Sequence, residues 1–370
     1  MILNLLIVED DSNILKQWKE KIEFYNVEGD KPYHIAPKYY ENIIDALSNI
    51  HLSTFNAAVI DIRLHDNSGA RYQNNDGNKI IEELSRKSLT VTAVYTGEPE
   101  IVELNRYQKD FVEIFSKGNG DIDNILGWFD GKLAMIKAIN AMQESIKETM
   151  ALAFTKSIWP RWNYWVSGSV AENTNSALTR HMATHLHASF LNMGDSGAHP
   201  EEYFFIPPLQ EKLNTGDIIY LDGSFEIIIT PRCDMVRSNE ASTYQLIKLE
   251  NQEEQWSSLE NALDCAKQTG LEKKINTAKS NILKFTNHSG KSGCHFIQQF
   301  RTKIQGQETR CGPFYAQFNC LRSIKRTEDN ESLLKSNRIA SLSNEFIPSL
   351  VERLGSYFSR IGTPDYSHPD

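Results

Sequence analysis

Residues 1–118 predict an α/β domain built on a doubly wound, parallel, five-stranded sheet. Two observations lead there. Short, almost unbroken apolar runs alternate with amphipathic stretches of helical period, and strands apolar on both faces belong to parallel sheets covered by helices on each side. Acidic and polar residues follow directly on several of the apolar runs, at the carboxyl ends of strands, where such sheets collect their function.

Each element follows in order. LNLLIVE reads as a buried strand that ends in Glu9, Asp10 and Asp11. SNILKQWKEKIEFY reads as a helix with Ser12 as its N-cap. YHIAP is a weak strand and YENIIDALSNI a helix. FNAAVIDI is a second strongly apolar strand, carrying Asp61 at its end. DGNKIIEELSRK is a helix, LTVTAVYTG a strand, EPEIVELNRY a helix and FVEIFSKG the last strand. Glu9, Asp10, Asp61, Thr96 and Lys117 thus fall at the ends of four different strands. Three clustered carboxylates repel one another and lose hydration if drawn inward, and a bound cation is the usual resolution.

This constellation resembles the response-regulator receiver domain, a flavodoxin-like fold. In that family an acid pair follows strand one, an aspartate strand three, a Thr or Ser strand four and a lysine strand five. Here those places are taken by Glu9 and Asp10, Asp61, Thr96 and Lys117. The resemblance implies that the acids and the Arg63 main-chain carbonyl hold Mg²⁺, a hard cation that takes oxygen ligands. It implies that Asp61 is the nucleophile, accepting a phosphoryl group from a phosphohistidine on a partner sensor histidine kinase. Lys117 then neutralises developing charge, and Thr96 bonds the new phosphoryl oxygens and draws in its loop. Asp11 reads as a capping or solvent-facing residue.

Three departures from the family pattern stand out. The loop after Asp61 is long and polar (HDNSGARYQNNDG). Ile114 occupies the place, three before the lysine, where the family often has an aromatic; Phe115 is adjacent but on the other strand face. Gly118 follows Lys117 where the family prefers proline.

A chain of 370 residues is too long for one ordinary core, so several domains are expected: a receiver over 1–118, a helical connector over 119–165 and an α+β domain over 166–370. The net charge is −9. Residues 1–118 hold 13 basic and 19 acidic residues, and the rest 26 and 29. Neither part has the basic balance of a nucleic-acid-binding domain. MILNLLIV is too short for a signal-peptide core, and no apolar run reaches the roughly 18–20 residues of a membrane helix. Five cysteines, all beyond residue 232 and none in CxxC spacing, suggest free thiols in a cytoplasmic protein.

From about Asp121 to Thr155 the chain is helix-compatible and free of proline; it serves either as a homodimer stalk or as an ordinary packed helix. WPRWNYW gathers three tryptophans and a tyrosine, read as a domain-junction core in preference to a base-stacking surface. RHMATHLHASFLN sets His181 and His185 at i and i+4 with His187 nearby, a spacing that can bind metal. The acid of an HExxH motif is missing, so structural or surface histidines are the reading. TGDIIYLDGSFEIIITPRCDM reads as strand, DG turn, strand and a loop with Cys233 and Asp234; the stretch looks like small SH3-like barrels, some of which are toxin ribonucleases. NQEEQWSSLENALDCAKQTG and LEKKINTAKSNILKFTN are helical, GPFYAQFNCLRSIKR a strand, and IASLSNEFIPSLVERLGSYFSRIGTPD a C-terminal helix.

The expected function is a cytoplasmic response regulator phosphorylated at Asp61. Its layout resembles the non-effector regulator of Detocs-type bacterial defence two-component systems, in which a receiver acts as a phosphate sink competing with a second response regulator. One alternative is an enzyme switch, with a nuclease or metal-dependent barrel using Cys233, Asp234 or the His181/His185 face. The other, a transcriptional regulator, is disfavoured by charge.

Overall fold

The computed structural model describes residues 1–51, 53–64, 76–118, 122–166, 174–191, 197–237 and 242–359. The chain divides into two compact units, Met1–Gly194 and Asp195–Asp370. The helices that follow the first sheet group with it.

The first unit begins β1 (Ile2–Val8), α1 (Ser12–Val27), β2 (His34–Tyr40), α2 (Ile43–Ile50), β3 (Ala57–Ile60), α3 (Asp76–Lys87), β4 (Val91–Thr96) and β5 (Val112–Ser116). The five strands are parallel in the order β2-β1-β3-β4-β5. Period-two alternation divides their side chains between two cores. Leu3, Leu5, Ile7, Val59, Ala93 and Tyr95 pack under α1, where Trp18 and Ile22 lie one turn apart. Leu6, Val8, Ala58, Ile60 and Val94 face the other way, onto Ile80, Ile81 and Leu84 of α3. Both faces are covered, which is why these strands read as continuous apolar runs.

Two local expectations need correcting here. The N-cap of α1 is Asp11, one residue before Ser12, and its carboxylate accepts from the Asn13 and Ile14 amides. EPEIVELNRY forms no helix. It is a strap with one short 3-10 turn, Pro99–Ile101, and a second, Gln108–Asp110, follows directly on it. Polar side chains take its backbone groups before a helix can. Asn105 Oδ1 accepts from the Tyr107 and Gln108 amides, and Gln108 Oε1 accepts from the Asn105 amide. From α3, Asn78 donates to the Ile101 carbonyl and accepts from the Glu103 amide. The long loop after Asp61 lies in residues 65–75, outside the described residues.

The unit continues with α4 (Ile122–Ala153), a π turn, a 3-10 turn, α5 (Trp162–Val166) and α6 (Thr174–Leu191). The proximal part of α4 completes the first core through Ile125, Phe129 and Ile136. Phe115 of β5 points to this side and meets Trp128, ring centroids 6.1 Å apart, while Ile114 faces the opposite side and is exposed. The tryptophan-rich turn is not a core: Trp159 is 63% and Tyr164 74% exposed. The helix register breaks at the π turn, so these rings stand off the helix surface.

The second unit contains β6 (Phe204–Phe205), β7 (Asp217–Leu221), β8 (Ser224–Ile228), α7 (Arg232–Val236), β9 (Thr243–Asn251), α8 (Glu253–Thr269), α9 (Glu272–Thr286), β10 (Cys294–Ile297), β11 (Phe300–Ile304), β12 (Gln307–Cys311), β13 (Phe314–Lys325), α10 (Glu328–Ser336), β14 (Arg338–Leu342) and α11 (Ile347–Phe358). Seven strands form an antiparallel sheet, β10-β13-β9-β8-β7-β14-β6, and β11-β12 is a separate hairpin. The expected β7-β8 hairpin is present. Its turn places Asp222 at φ 52° and Gly223 at φ 77°, the positive pair that a two-residue hairpin requires. IASL is not helical as expected but forms β14, inserted between β7 and β6. Its side chains Ala340 and Leu342 are buried with Phe204, Ile218 and Ile247.

Candidate functional site

The parallel register carries three chain ends to one place. The Asp61 amide donates to the Val8 carbonyl, 2.9 Å, and the Lys117 amide to the Thr96 carbonyl, 2.8 Å. The residues that follow β1, β3 and β5 are thereby lined up at one edge. Glu9 is 2% and Asp61 6% exposed, and Asp10 is half-buried. Ligand atoms of these three carboxylates lie within 4.8 Å of one another. With Lys117, Thr96, Arg63 and Glu98 they line a cleft of about 430 Å³.

Lys117 holds the acids together. Its Nζ lies 2.6 Å from Glu9 Oε2 and 2.7 Å from Asp61 Oδ2. The second oxygens are also used: Asp61 Oδ1 accepts from the Ile62 amide at 2.7 Å, and Glu9 Oε1 from the Asp11 amide at 3.1 Å. Burial pulls the ammonium pKa of Lys117 down, but the charges of Glu9 and Asp61 outweigh this and the net displacement is upward. Glu9 moves the other way. Burial raises its carboxyl to about 7; Lys117 opposes this and the negative charge of Asp61 adds to it. One lysine cannot neutralise three clustered acids, so the pocket has room for further positive charge. Its donors are all oxygens, the set that hard divalent cations take.

Thr96 is buried at the end of β4, with its Oγ accepting from the Glu98 amide at 3.3 Å. Arg63 turns its guanidinium to an ion pair with Glu98, linking the segments after β3 and β4. Every receiver-site residue expected from the sequence therefore lies in this cleft, and Asp11, expected outside the ligand set, caps α1.

Three contributors were not expected. Glu98 is one. Tyr95 is another, its ring centroid 5.8 Å from Lys117 Nζ. The third is Gly77. A Cβ at that position would stand 2.2 Å from the Asp61 carbonyl oxygen and 2.5 Å from Ile62 Cα, so only glycine lets α3 start this close to the end of β3. Asp76-Gly77 was visible as a helix start, but the approach to Asp61 is set by tertiary packing.

The other candidates are not gathered into one site. His181 and His185 meet on α6, Nε2 to Nε2 3.1 Å. Cys233 and Asp234 sit on α7, where the thiol is exposed and its Sγ lies 3.6 Å from Asp234 Oδ1. Cys265 and Cys320 are exposed and Cys311 is buried. Among the described residues, Glu9, Asp10 and Asp61 are the one group of three or more potential metal ligands.

No protein-family model matches the chain, and no curated protein does. Among solved structures, the chain is similar to a CheY-like response regulator receiver domain from Methylobacillus flagellatus (19% identity, 34% of this chain and 98% of that one, TM-score 0.26). It is also similar to a CheY-like receiver domain protein from Methanospirillum hungatei (19%, 37% and 98%, 0.27) and to an adenylate cyclase from Rhodopirellula baltica (18%, 40% and 100%, 0.31). No described helix is long and apolar enough to cross a membrane. The parallel sheet of residues 1–118, in the order β2-β1-β3-β4-β5, fits a receiver fold.

Proposed function

We propose that this chain is a response regulator whose receiver accepts a phosphoryl group on Asp61 from a histidine kinase. The observation that carries the reading is the gathering of Glu9, Asp10 and Asp61 at the carboxyl edge of the sheet, with Lys117 bridging Glu9 and Asp61. In the reaction an Asp61 carboxylate oxygen attacks phosphorus, the P–N bond to the kinase imidazole breaks, and the imidazole leaves with its electron pair. Glu9, Asp10, Asp61 and the Arg63 carbonyl would hold Mg²⁺, which when bound neutralises phosphoryl oxygens and the acids together. Lys117, freed from one Asp61 oxygen, pairs with the phosphoryl group. Thr96 loses its contact with the Glu98 amide as its hydroxyl turns to a phosphoryl oxygen, and the strap beyond β4 moves with it. The layout further supports a phosphate-sink role, in which the chain competes with a second response regulator for one kinase, as in antiviral defence systems of the kind it resembles.

The test is labelling with an autophosphorylated histidine kinase, or with acetyl phosphate, in Mg²⁺. Wild type should label and Asp61→Asn should not; equal labelling of the two rejects the assignment. For the sink role, adding this protein should lower the label on a competing regulator, and Asp61→Asn should leave that label unchanged.

A further inference from the structure

The pair His181 and His185 on α6 has a geometry that its spacing alone does not settle. Residues at i and i+4 share one helical face, so the two rings can meet in two ways. In an end-to-end hydrogen bond, one Nε2–H points at the other Nε2 lone pair along a common line. With the nitrogens 3.1 Å apart the ring centroids would then stand about 5.4 Å apart, adding the short ring radii to that line. In a chelate, both lone pairs instead aim at a point to one side. With metal–nitrogen bonds of about 2.1 Å the same nitrogen separation brings the centroids to about 4.8 Å. The observed centroid separation is 4.5 Å, with the planes at 80°. The rings meet at an angle and not in line, nearer the chelate separation, in a geometry that also lets one Nε2–H reach the other nitrogen. The nitrogen separation also suits a shared cation, since bonds of about 2.1 Å give about 3.0 Å at a right angle and about 3.4 Å at the tetrahedral angle.

We propose that His181 and His185 form a bidentate site for a divalent transition-metal ion, with the remaining positions open to water or another ligand. Imidazole nitrogens select zinc, nickel and copper over magnesium, so this site and the carboxylate cleft take different classes of cation. Trp165 packs against His181, centroids 5.2 Å apart, and fixes one ring from the side. The cation would tie two successive turns of a helix that buries none of its residues. Its packed face is only half-buried, so a metal clip has a measurable effect on it.

The experiment is titration of the full chain with Ni²⁺ by calorimetry, in millimolar Mg²⁺ to occupy the oxygen site, on wild type, His181→Gln and His185→Gln. Hydrogen exchange of α6 peptides is followed in parallel, with and without Ni²⁺, and circular dichroism confirms that each variant is folded. Expected are one Ni²⁺ per chain in wild type, at least a tenfold loss of affinity in each variant, and slower α6 exchange on addition of metal in wild type alone. Across ions the affinity should rise from Mn²⁺ through Co²⁺ and Ni²⁺ to Cu²⁺. Absence of stoichiometric binding by wild type, or binding that both folded variants retain, overturns the proposal.

Discussion

Glu9 is the most exacting place to test the charge balance of the cleft. Its carboxyl is lifted from 4.5 to about 7, chiefly by burial. A folded-state value above the unfolded one means that the unfolded chain gives up this proton first. The associated stability is fully present below pH 4.5, declines as pH rises, and is lost once pH passes about 7. At about 1.4 kcal/mol per pH unit the loss amounts to about 3 kcal/mol. Glu9→Gln removes the titration and keeps one oxygen, which can accept from Lys117 while the side-chain amide nitrogen takes the other place. In chelator at pH 8 the variant should therefore protect the β1 and β3 amides more strongly than wild type, by up to about 3 kcal/mol. The difference should shrink toward pH 4.5. Hydrogen exchange of peptides spanning residues 2–8 and 57–60, read by mass spectrometry with intrinsic rates corrected for pH, reports on this core directly. Added Mg²⁺ should stabilise wild type more than the variant, because only wild type offers the Glu9 carboxylate. Wild-type protection equal to or above that of the variant at pH 8 in chelator, or a difference that does not change with pH, would refute the reasoning.

Gly77→Ala drives a Cβ to 2.2 Å from the Asp61 carbonyl. Overpacking of this kind destabilises by about 1–3 kcal/mol, and displacement of the β3 end should cut the rate of Asp61 phosphorylation at least tenfold in a kinase-transfer assay. Asp11→Ala removes the two cap bonds of α1 and should lose about 1 kcal/mol by chemical denaturation while leaving phosphorylation at the wild-type rate; a labelling defect would place Asp11 in the site. In the second unit, Asp217 is 1% exposed and accepts from the Asn214 amide, from Ser341 Oγ and from Arg338 Nη1 at 3.1 Å. Asp217→Asn leaves the Arg338 guanidinium largely buried without a counter-charge. It should lower stability by about 3–5 kcal/mol, seen as rapid proteolysis of residues 195–370.

How much of this was legible in the chain depends on which interactions decide each element. The central strands β1, β3 and β4 were legible because they are buried on both faces, and such burial demands an apolar run whatever its neighbours are; the edge strands β2 and β5 are partly exposed and read less strongly. Helices α1 to α3 follow from their stripes; Leu15, Trp18, Ile22 and Tyr25 of α1 are the buried face. The strap 99–110 was misread because its composition suits a helix, and only the arrival of Asn78 from α3 and the Asn105–Gln108 exchange divert its backbone bonds. The strand IASL was misread for a related reason: a stretch of four with three apolar residues is compatible with strand or helix, and the free edge of β7 makes it a strand. The aromatic run 159–165 pointed to a core by composition, but the break in helix register turned several of its rings outward.

For the site, the apolar runs put Glu9, Asp10, Asp61, Thr96 and Lys117 at strand ends of a parallel sheet, the resemblance to the receiver pattern singled them out as a set, and the structure places them in one cleft. The sequence also placed Asp11 outside the ligand set, since an aspartate before a helix has a backbone use of its own. What it could not contain is distance. That Lys117 bridges two buried acids, that Gly77 touches the Asp61 backbone, and that the Nε2 atoms of His181 and His185 meet are consequences of elements far apart in the chain, or of rotamers, meeting at a given separation. Local pattern determines which groups the chain carries to an edge or a face. Charge balance, close approach and chelating geometry depend on ångström separations between those groups, and only the packed tertiary structure sets them.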